Sequence, residues 1–168
     1  LLAEAGVKLP LNVQIWTNER KERIDMATII QSQLEEVGIK AEIKVLEWGA
    51  YLDGLKQKTH DMFILGWVAS VPDPEFAVSG VFHSSMAGST NFSYFSNPEV
   101  DKMMEQGKAL PNGPEREKLY KDLQEKIDSL KPWIYLHNDE QICGTQKNVK
   151  GFQPSPRGYH VLTNVSFE

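Results

Sequence analysis

Residues 61–76 read Asp-Met-Phe-Ile-Leu-Gly-Trp-Val-Ala-Ser-Val-Pro-Asp-Pro-Glu-Phe. The run from Asp61 to Gly66 is almost continuously apolar, the pattern of a short strand covered on both faces, as in a parallel sheet flanked by helices. It leads straight into Gly66-Trp67 and then into a loop built around Asp73 between Pro72 and Pro74. In an α/β sheet, ligands collect in the crevice outside the carboxyl ends of the strands, so this run is placed to deliver a large aromatic and several backbone polar groups to a binding site. A tryptophan at a strand end also serves as a lid on the core, and the pattern alone leaves both readings open.

Upstream, residues 11–17 carry the period-two alternation of a strand, and Asn18 and Glu19 open a helix. Within that helix Ile24, Ala27, Ile30, Leu34 and Val37 recur at spacings of three and four, giving one buried stripe that Gly38 ends. Residues 39–46 alternate again through Ile39, Ala41, Ile43 and Val45, and Glu47-Trp48 leads into a second helix carrying Tyr51, Leu52 and Leu55. Strand, helix, strand, helix, strand implies right-handed crossovers and an α/β class with a mostly parallel sheet flanked by helices. Leu1, Leu2 and Ala5 fall at helical spacing before Gly6, so the chain is expected to begin at the end of a helix and to be a fragment of a longer protein.

Beyond residue 76 the organisation changes. Residues 84–97 are rich in Ser, Gly and Asn, and the stretch from Ser84 to Phe92 reads either as a border of the crevice or as a solvated connection. Asn97-Pro98-Glu99 starts a helix with Val100, Met103 and Met104, Pro111-Asn112-Gly113 is a turn, and residues 114–130 form the longest amphipathic helix. Pro132 ends it, and Trp133-Ile134-Tyr135-Leu136 is expected to form a compact strand. From residue 146 a tail contains Val149-Lys150-Gly151-Phe152, Pro154 and Pro156, and a segment from 161 to 167 with no helix to cover it.

Composition narrows the function classes. The 168 residues are 40% hydrophobic and 24% charged, with a mean hydropathy of -0.40, which suits a soluble globular domain. A net charge of -5 and scattered Lys and Arg argue against a nucleic-acid partner, which requires a concentrated basic face. Cys143 is alone, so no internal disulfide forms, and a small buried hydrophobe is its expected role. No stretch approaches the roughly 18 apolar residues of a membrane span, and the first residues lack the order of a signal peptide. His60, His83, His137 and His160 are scattered, with no His-x-x-x-His spacing, and neither a phosphate-binding glycine loop nor a Gly-x-Ser-x-Gly elbow occurs. No catalytic residue, metal ligand or cofactor is therefore expected.

Several short motifs in order carry a resemblance across nearly the whole chain. They are Leu2-Ala3-Glu4-Ala5-Gly6 before a strand; Gln33-Leu34-Glu35-Glu36-Val37-Gly38-Ile39; Asp61-Met62 through Gly66-Trp67 and Asp73-Pro74; Asn91 through Tyr94 with Ser96-Asn97-Pro98-Glu99-Val100-Asp101; Arg116 with Leu119-Tyr120; and Pro132 to Leu136 with Val149-Lys150-Gly151-Phe152. On these the chain resembles the C-terminal lobe of the family 5 extracellular solute-binding proteins, the peptide and nickel receptors of ABC importers. The resemblance implies one lobe of a type II periplasmic-binding-protein-like fold that closes on its ligand against another lobe and docks on a membrane permease. It implies residues 1–145 as the C-terminal ligand-binding lobe and 146–168 as a tail packing back toward a missing N-terminal lobe.

The same resemblance places the ligand along Gly66, Trp67, Val68 and Ala69, which would meet a peptide main chain by strand-like hydrogen bonds. In many such receptors an aspartate three residues after the tryptophan pairs with the ligand's α-ammonium; here Ser70 stands there, and a hydroxyl lacks the charge for that bond. Asp73 is the candidate replacement, although its flanking prolines suit a structural turn. Trp16, Trp48 and Trp133 are expected in the core. The implied ligand is an oligopeptide, with a nickel chelate, haem or oligosaccharide as alternatives on this fold and a stand-alone interaction domain as the alternative outside it. The implied location is extracytoplasmic, periplasmic or lipid-anchored.

Overall fold

The computed structural model describes residues 1–155 and 159–168; Pro156, part of the expected tail, lies outside the described residues. The chain divides into two compact units, one comprising residues 1–66 and 88–92, the other residues 67–87 and 93–168.

In the first unit, β1 (Leu11–Asn18), α1 (Lys21–Glu36), β2 (Ile39–Leu46), α2 (Trp48–Lys56) and β3 (Met62–Phe63) follow in order. The strands form a parallel sheet in the order β2-β1-β3. The β1–β2 ladder runs in continuous register from Leu11↔Ile39 to Asn18↔Leu46. The path steps from β1 to β2, then returns past β1 to β3 on its other side. Crossovers of one hand must then put α1 and α2 on opposite faces of the sheet.

The packing agrees. Ile15 and Ile64 cluster with Ala27 of α1, joined by Ile30, Leu34, Ala41, Ile43 and Met62. The neighbouring Trp16 clusters instead with Tyr51 and Leu55 of α2 and with Phe92, joined by Phe63 and Leu65. Met62 and Ile64 thus serve one face and Phe63 and Leu65 the other, as expected of a strand covered on both sides. Its ladder is shorter than the expected 61–66: after Ile15↔Met62 and Trp16↔Phe63, one further bond from Ile64 N to Trp16 O (3.0 Å) ends it.

Smaller departures have local causes. Helix α1 starts at Lys21, not at Asn18 or Glu19, and Arg20 caps it without a side-chain bond. Val37 follows the last helical residue and is exposed, while Gly38 makes the left-handed stop at φ 82°. Trp48 opens α2 and is 47% exposed, outside the core expected for it. Residues 1–6 form a single turn, closed by Ala5 N to Leu1 O and ended by Gly6 at φ 68°.

The second unit contains α3 (Pro74–Phe82), a 3-10 turn (Ser84–Met86), α4 (Pro98–Ala109), α5 (Pro114–Leu130) and an antiparallel pair, β4 (Val149–Lys150) with β5 (Ser166–Phe167). Val81 and Phe82 of α3, Val100 and Met104 of α4, and Tyr120, Leu123 and Ile127 of α5 build its core. The sequence marks both ends of α5 correctly. Asn97 caps α4 by accepting from the Glu99 and Val100 amides, with Pro98 in the first turn.

Two expectations fail here. Trp133 packs against Phe82 with ring centroids 4.5 Å apart and the rings tilted by 48°, but residues 133–136 join no ladder, and Ile134 and Tyr135 are exposed; a strand requires a partner, which the described residues do not supply. Cys143 is exposed. Residues 166 and 167 pair with β4 and stay exposed, in line with a segment that no helix covers.

Candidate functional site

The strand order reverses between β1 and β3, so the carboxyl ends of those two strands flank the topological switch point, where open α/β sheets bind ligands. Asn18 ends β1. Arg23, in the first turn of α1, donates through Nη1 to Asn18 Oδ1 at 2.9 Å. The same guanidinium covers Gly66: a Cβ on that glycine would lie 3.1 Å from Arg23 Nη2. A side chain at position 66 would require that guanidinium to give by a few tenths of an ångström.

Just before it, the Tyr51 hydroxyl donates to Ile64 O at 2.9 Å in a buried setting. Burial pushes this phenol well above its ordinary range, with Arg23 acting weakly the other way, so it remains a donor at all ordinary pH values. The end of β3 is fixed from two sides, by Ile64 N donating to Trp16 O and by the Tyr51 hydroxyl donating to Ile64 O.

Residues 66–70 then run outside any helix or sheet. Among the described residues, none of the backbone N–H or C=O groups from Gly66 to Ser70 takes part in a hydrogen bond. Trp67 is 42% exposed, and Val68 and Ser70 are also exposed. The Trp67 indole donates from Nε1 to Phe76 O at 3.4 Å and lies over Gly80 of α3. Phe76 and Val71 are themselves exposed.

The loop closes at Asp73. Its Oδ1 accepts from Glu75 N at 2.8 Å, capping α3, and from Arg116 Nη2, also at 2.8 Å. Arg116 donates in addition from Nε to Gly107 O and from Nη1 to Asn112 Oδ1, and stacks over the Tyr120 ring. The hydrogen bond from Arg116 is the main reason the Asp73 carboxyl is held below its usual value. Asp73 thus has a structural task; its Oδ2 takes no hydrogen bond among the described residues.

Of the residues singled out from sequence, Gly66 ends the first unit, and Trp67, Val68, Ala69, Ser70 and Asp73 belong to the second. Sequence reasoning missed Asn18, Arg23, Phe76 and Gly80, and gave Arg116 no role. Helix α3 was detectable, since Asp73-Pro74-Glu75 is an N-cap, a proline in the first turn and an acidic first-turn residue. The Asp73–Arg116 pair spans 43 residues and has no local signature. Among the described residues, no group of His, Cys, Asp or Glu could hold a metal ion, and no helix is long and apolar enough to cross a membrane.

The chain is 30% identical over 168 residues to a probable di/tripeptide-binding protein 5 of Pseudomonas aeruginosa, covering 96% of this chain and 32% of that one. It is equally 30% identical over 175 residues to heme-binding protein A of Haemophilus influenzae, covering 100% of this chain and 32% of the relative. The chain thus spans about a third of the length of the curated relatives it matches. Among solved structures, a putative peptide-binding protein AppA from Clostridium difficile superposes with a TM-score of 0.82 at 27% identity, over 99% of this chain and 35% of the other. The family model of the bacterial extracellular solute-binding proteins, family 5 Middle, matches residues 1–89, more than half of the chain. The chain belongs to the bacterial extracellular solute-binding proteins of family 5, and its α/β fold is that of the periplasmic binding proteins.

Proposed function

We propose that this chain is the ligand-binding C-terminal lobe of an ABC-importer receptor that takes up oligopeptides and passes them to a membrane permease. The observation that carries this reading is the run from Gly66 to Ser70, whose backbone groups are unpaired and open. Five consecutive peptide units with free donors and acceptors suit a ligand that is itself a peptide, bound by strand-like main-chain hydrogen bonds that any sequence can make. Gly66, Trp67, Val68, Ala69 and Ser70 would line the ligand, and Asp73 would hold their loop in place while offering Oδ2 to the site. With Ser70 in the position of the usual aspartate, the ligand's amino terminus would lack its strongest anchor.

Residues 1–145 would form the lobe and 146–168 a tail packed toward an N-terminal lobe in the rest of the receptor. Exposed Val161, Leu162 and Phe167 supply apolar surface for that packing, as do Ile134, Tyr135 and Ile142 before them. Affinity would come from closure of the two lobes, which buries the ligand and desolvates its hydrogen bonds. The receptor would act without catalysis and outside the cytoplasmic membrane, periplasmic or held by a lipid anchor.

A second reading has one specific support: the Haemophilus haem-binding relative matches as well as the di/tripeptide-binding one. Native mass spectrometry of the intact receptor, purified without added ligand, separates the two. Peptides of a few residues released on denaturation are the expected result; haem or another non-peptide ligand would overturn the peptide reading.

A further inference from the structure

Three helical glycines each lie beneath an aromatic ring: Gly54 of α2 under Trp16, Gly107 of α4 under Tyr120, and Gly80 of α3 under Trp67. Within a helix, glycine has the most backbone freedom to lose and is the poorest residue short of proline, so each position requires a compensating gain. For Gly54 and Gly107 the gain is core packing, because Trp16 and Tyr120 are only 5% and 7% exposed. Gly80 differs. A Cβ there would stand 2.7 Å from Cζ2 and 3.1 Å from Cη2 of Trp67, both inside the usual carbon–carbon contact distance, and 3.6 Å from Cε2. Yet this ring is far from buried, so core packing does not account for the glycine. What Gly80 provides is a fixed posture for an indole that remains open to solvent.

We propose that Gly80 is a specificity-determining position of the ligand site: it allows the Trp67 indole to lie down on α3, and so sets the height of the apolar surface that a ligand side chain meets. The proposal rests on the peptide-receptor reading above. Trp67, Phe76 and Val71 make that surface apolar, and it would take an aromatic or aliphatic side chain of the peptide. Any residue larger than glycine at position 80 lifts the ring and shrinks the space above it. Alanine favours the helix itself, so the substitution would alter binding without weakening the fold.

The test uses Gly80→Ala, Trp67→Phe and their combination in the intact receptor labelled with 5-fluorotryptophan. The fluorine resonance lost in Trp67→Phe identifies Trp67. In Gly80→Ala this resonance should shift while those of Trp16, Trp48 and Trp133 stay. Calorimetry with tripeptides carrying a central Phe, Leu or Ser should show the Phe and Leu peptides weakened at least tenfold and the Ser peptide less. In the Trp67→Phe background, Gly80→Ala should change these affinities less than twofold. An unmoved Trp67 resonance overturns the positioning role. A shifted resonance with unchanged affinities overturns the specificity role. If the unsubstituted receptor binds none of the peptides, the peptide reading falls and the specificity role with it, whereas the resonance still decides whether Gly80 places the indole.

Discussion

Trp16 and Trp67 occupy comparable places and have opposite fates. Each stands at the carboxyl end of a parallel strand or just beyond it, and each lies over a helical glycine. Trp16 is sealed: Tyr51, Leu55 and Phe92 surround it, and its Nε1 donates to Gln14 Oε1 at 2.9 Å. Trp67 donates to the Phe76 carbonyl and lies on Gly80 of α3, and 42% of it faces solvent. A tryptophan at a strand end is therefore core or wall according to whether a crossover helix returns over it. Helix α2 returns over Trp16; after Trp67 the chain turns aside through Pro72, Asp73 and Pro74 into α3.

Substitutions should separate the two. Trp16→Ala should cost the most, about 3–5 kcal/mol of stability in denaturant unfolding, since a fully packed indole leaves a large cavity. Gly54→Ala comes next: its Cβ would overlap Cζ3 of a ring that cannot move, and overpacking of this kind costs about 1–3 kcal/mol. Tyr51→Phe should cost roughly 1–2 kcal/mol, because it leaves the buried Ile64 carbonyl without its donor and loosens the strand end that leads to Gly66.

The fourth effect is a pH dependence on the Trp16 side. His60 packs against Trp16 and Phe63, with Nε2 bonded to Phe92 O at 3.2 Å, and burial lowers its pKa from the ordinary 6.5. A base whose folded pKa is depressed binds fewer protons when folded than when unfolded, so stability should fall as the pH drops below about 6.5 and level off below the folded value. Thermal unfolding of His60→Gln across pH 4 to 8 should show a flatter profile. Trp67→Ala should have the smallest effect on stability, within about 0.5 kcal/mol, as for other surface changes, while sharply weakening ligand binding. A large stability loss in Trp67→Ala would erase the contrast between the two rings.

The sheet and its flanking helices were legible because their information is local and periodic. Residues 39–46 and 114–130 matched β2 and α5 end to end, and the burial of Met62 and Ile64 opposite Phe63 and Leu65 follows from period two alone. The end of β3 just before Gly66-Trp67 was legible as a strand end. What stayed hidden depends on contacts distant in sequence. Nothing near Asp73 announces Arg116, and nothing near Gly80 announces an indole thirteen residues upstream. Residues 133–136 have the composition of a strand, but composition cannot supply a partner, and the described residues leave Ile134 and Tyr135 open.

The central claim is that the backbone from Gly66 to Ser70 receives the ligand. Amide hydrogen exchange of the intact receptor, with and without a mixture of short peptides, tests it most directly, because these amides are now unpaired and should exchange fast. Strong protection of residues 66–70 on peptide addition, with Trp16 and its neighbours unchanged, is the predicted result. Bound peptide with residues 66–70 still exchanging as in the free receptor would contradict it.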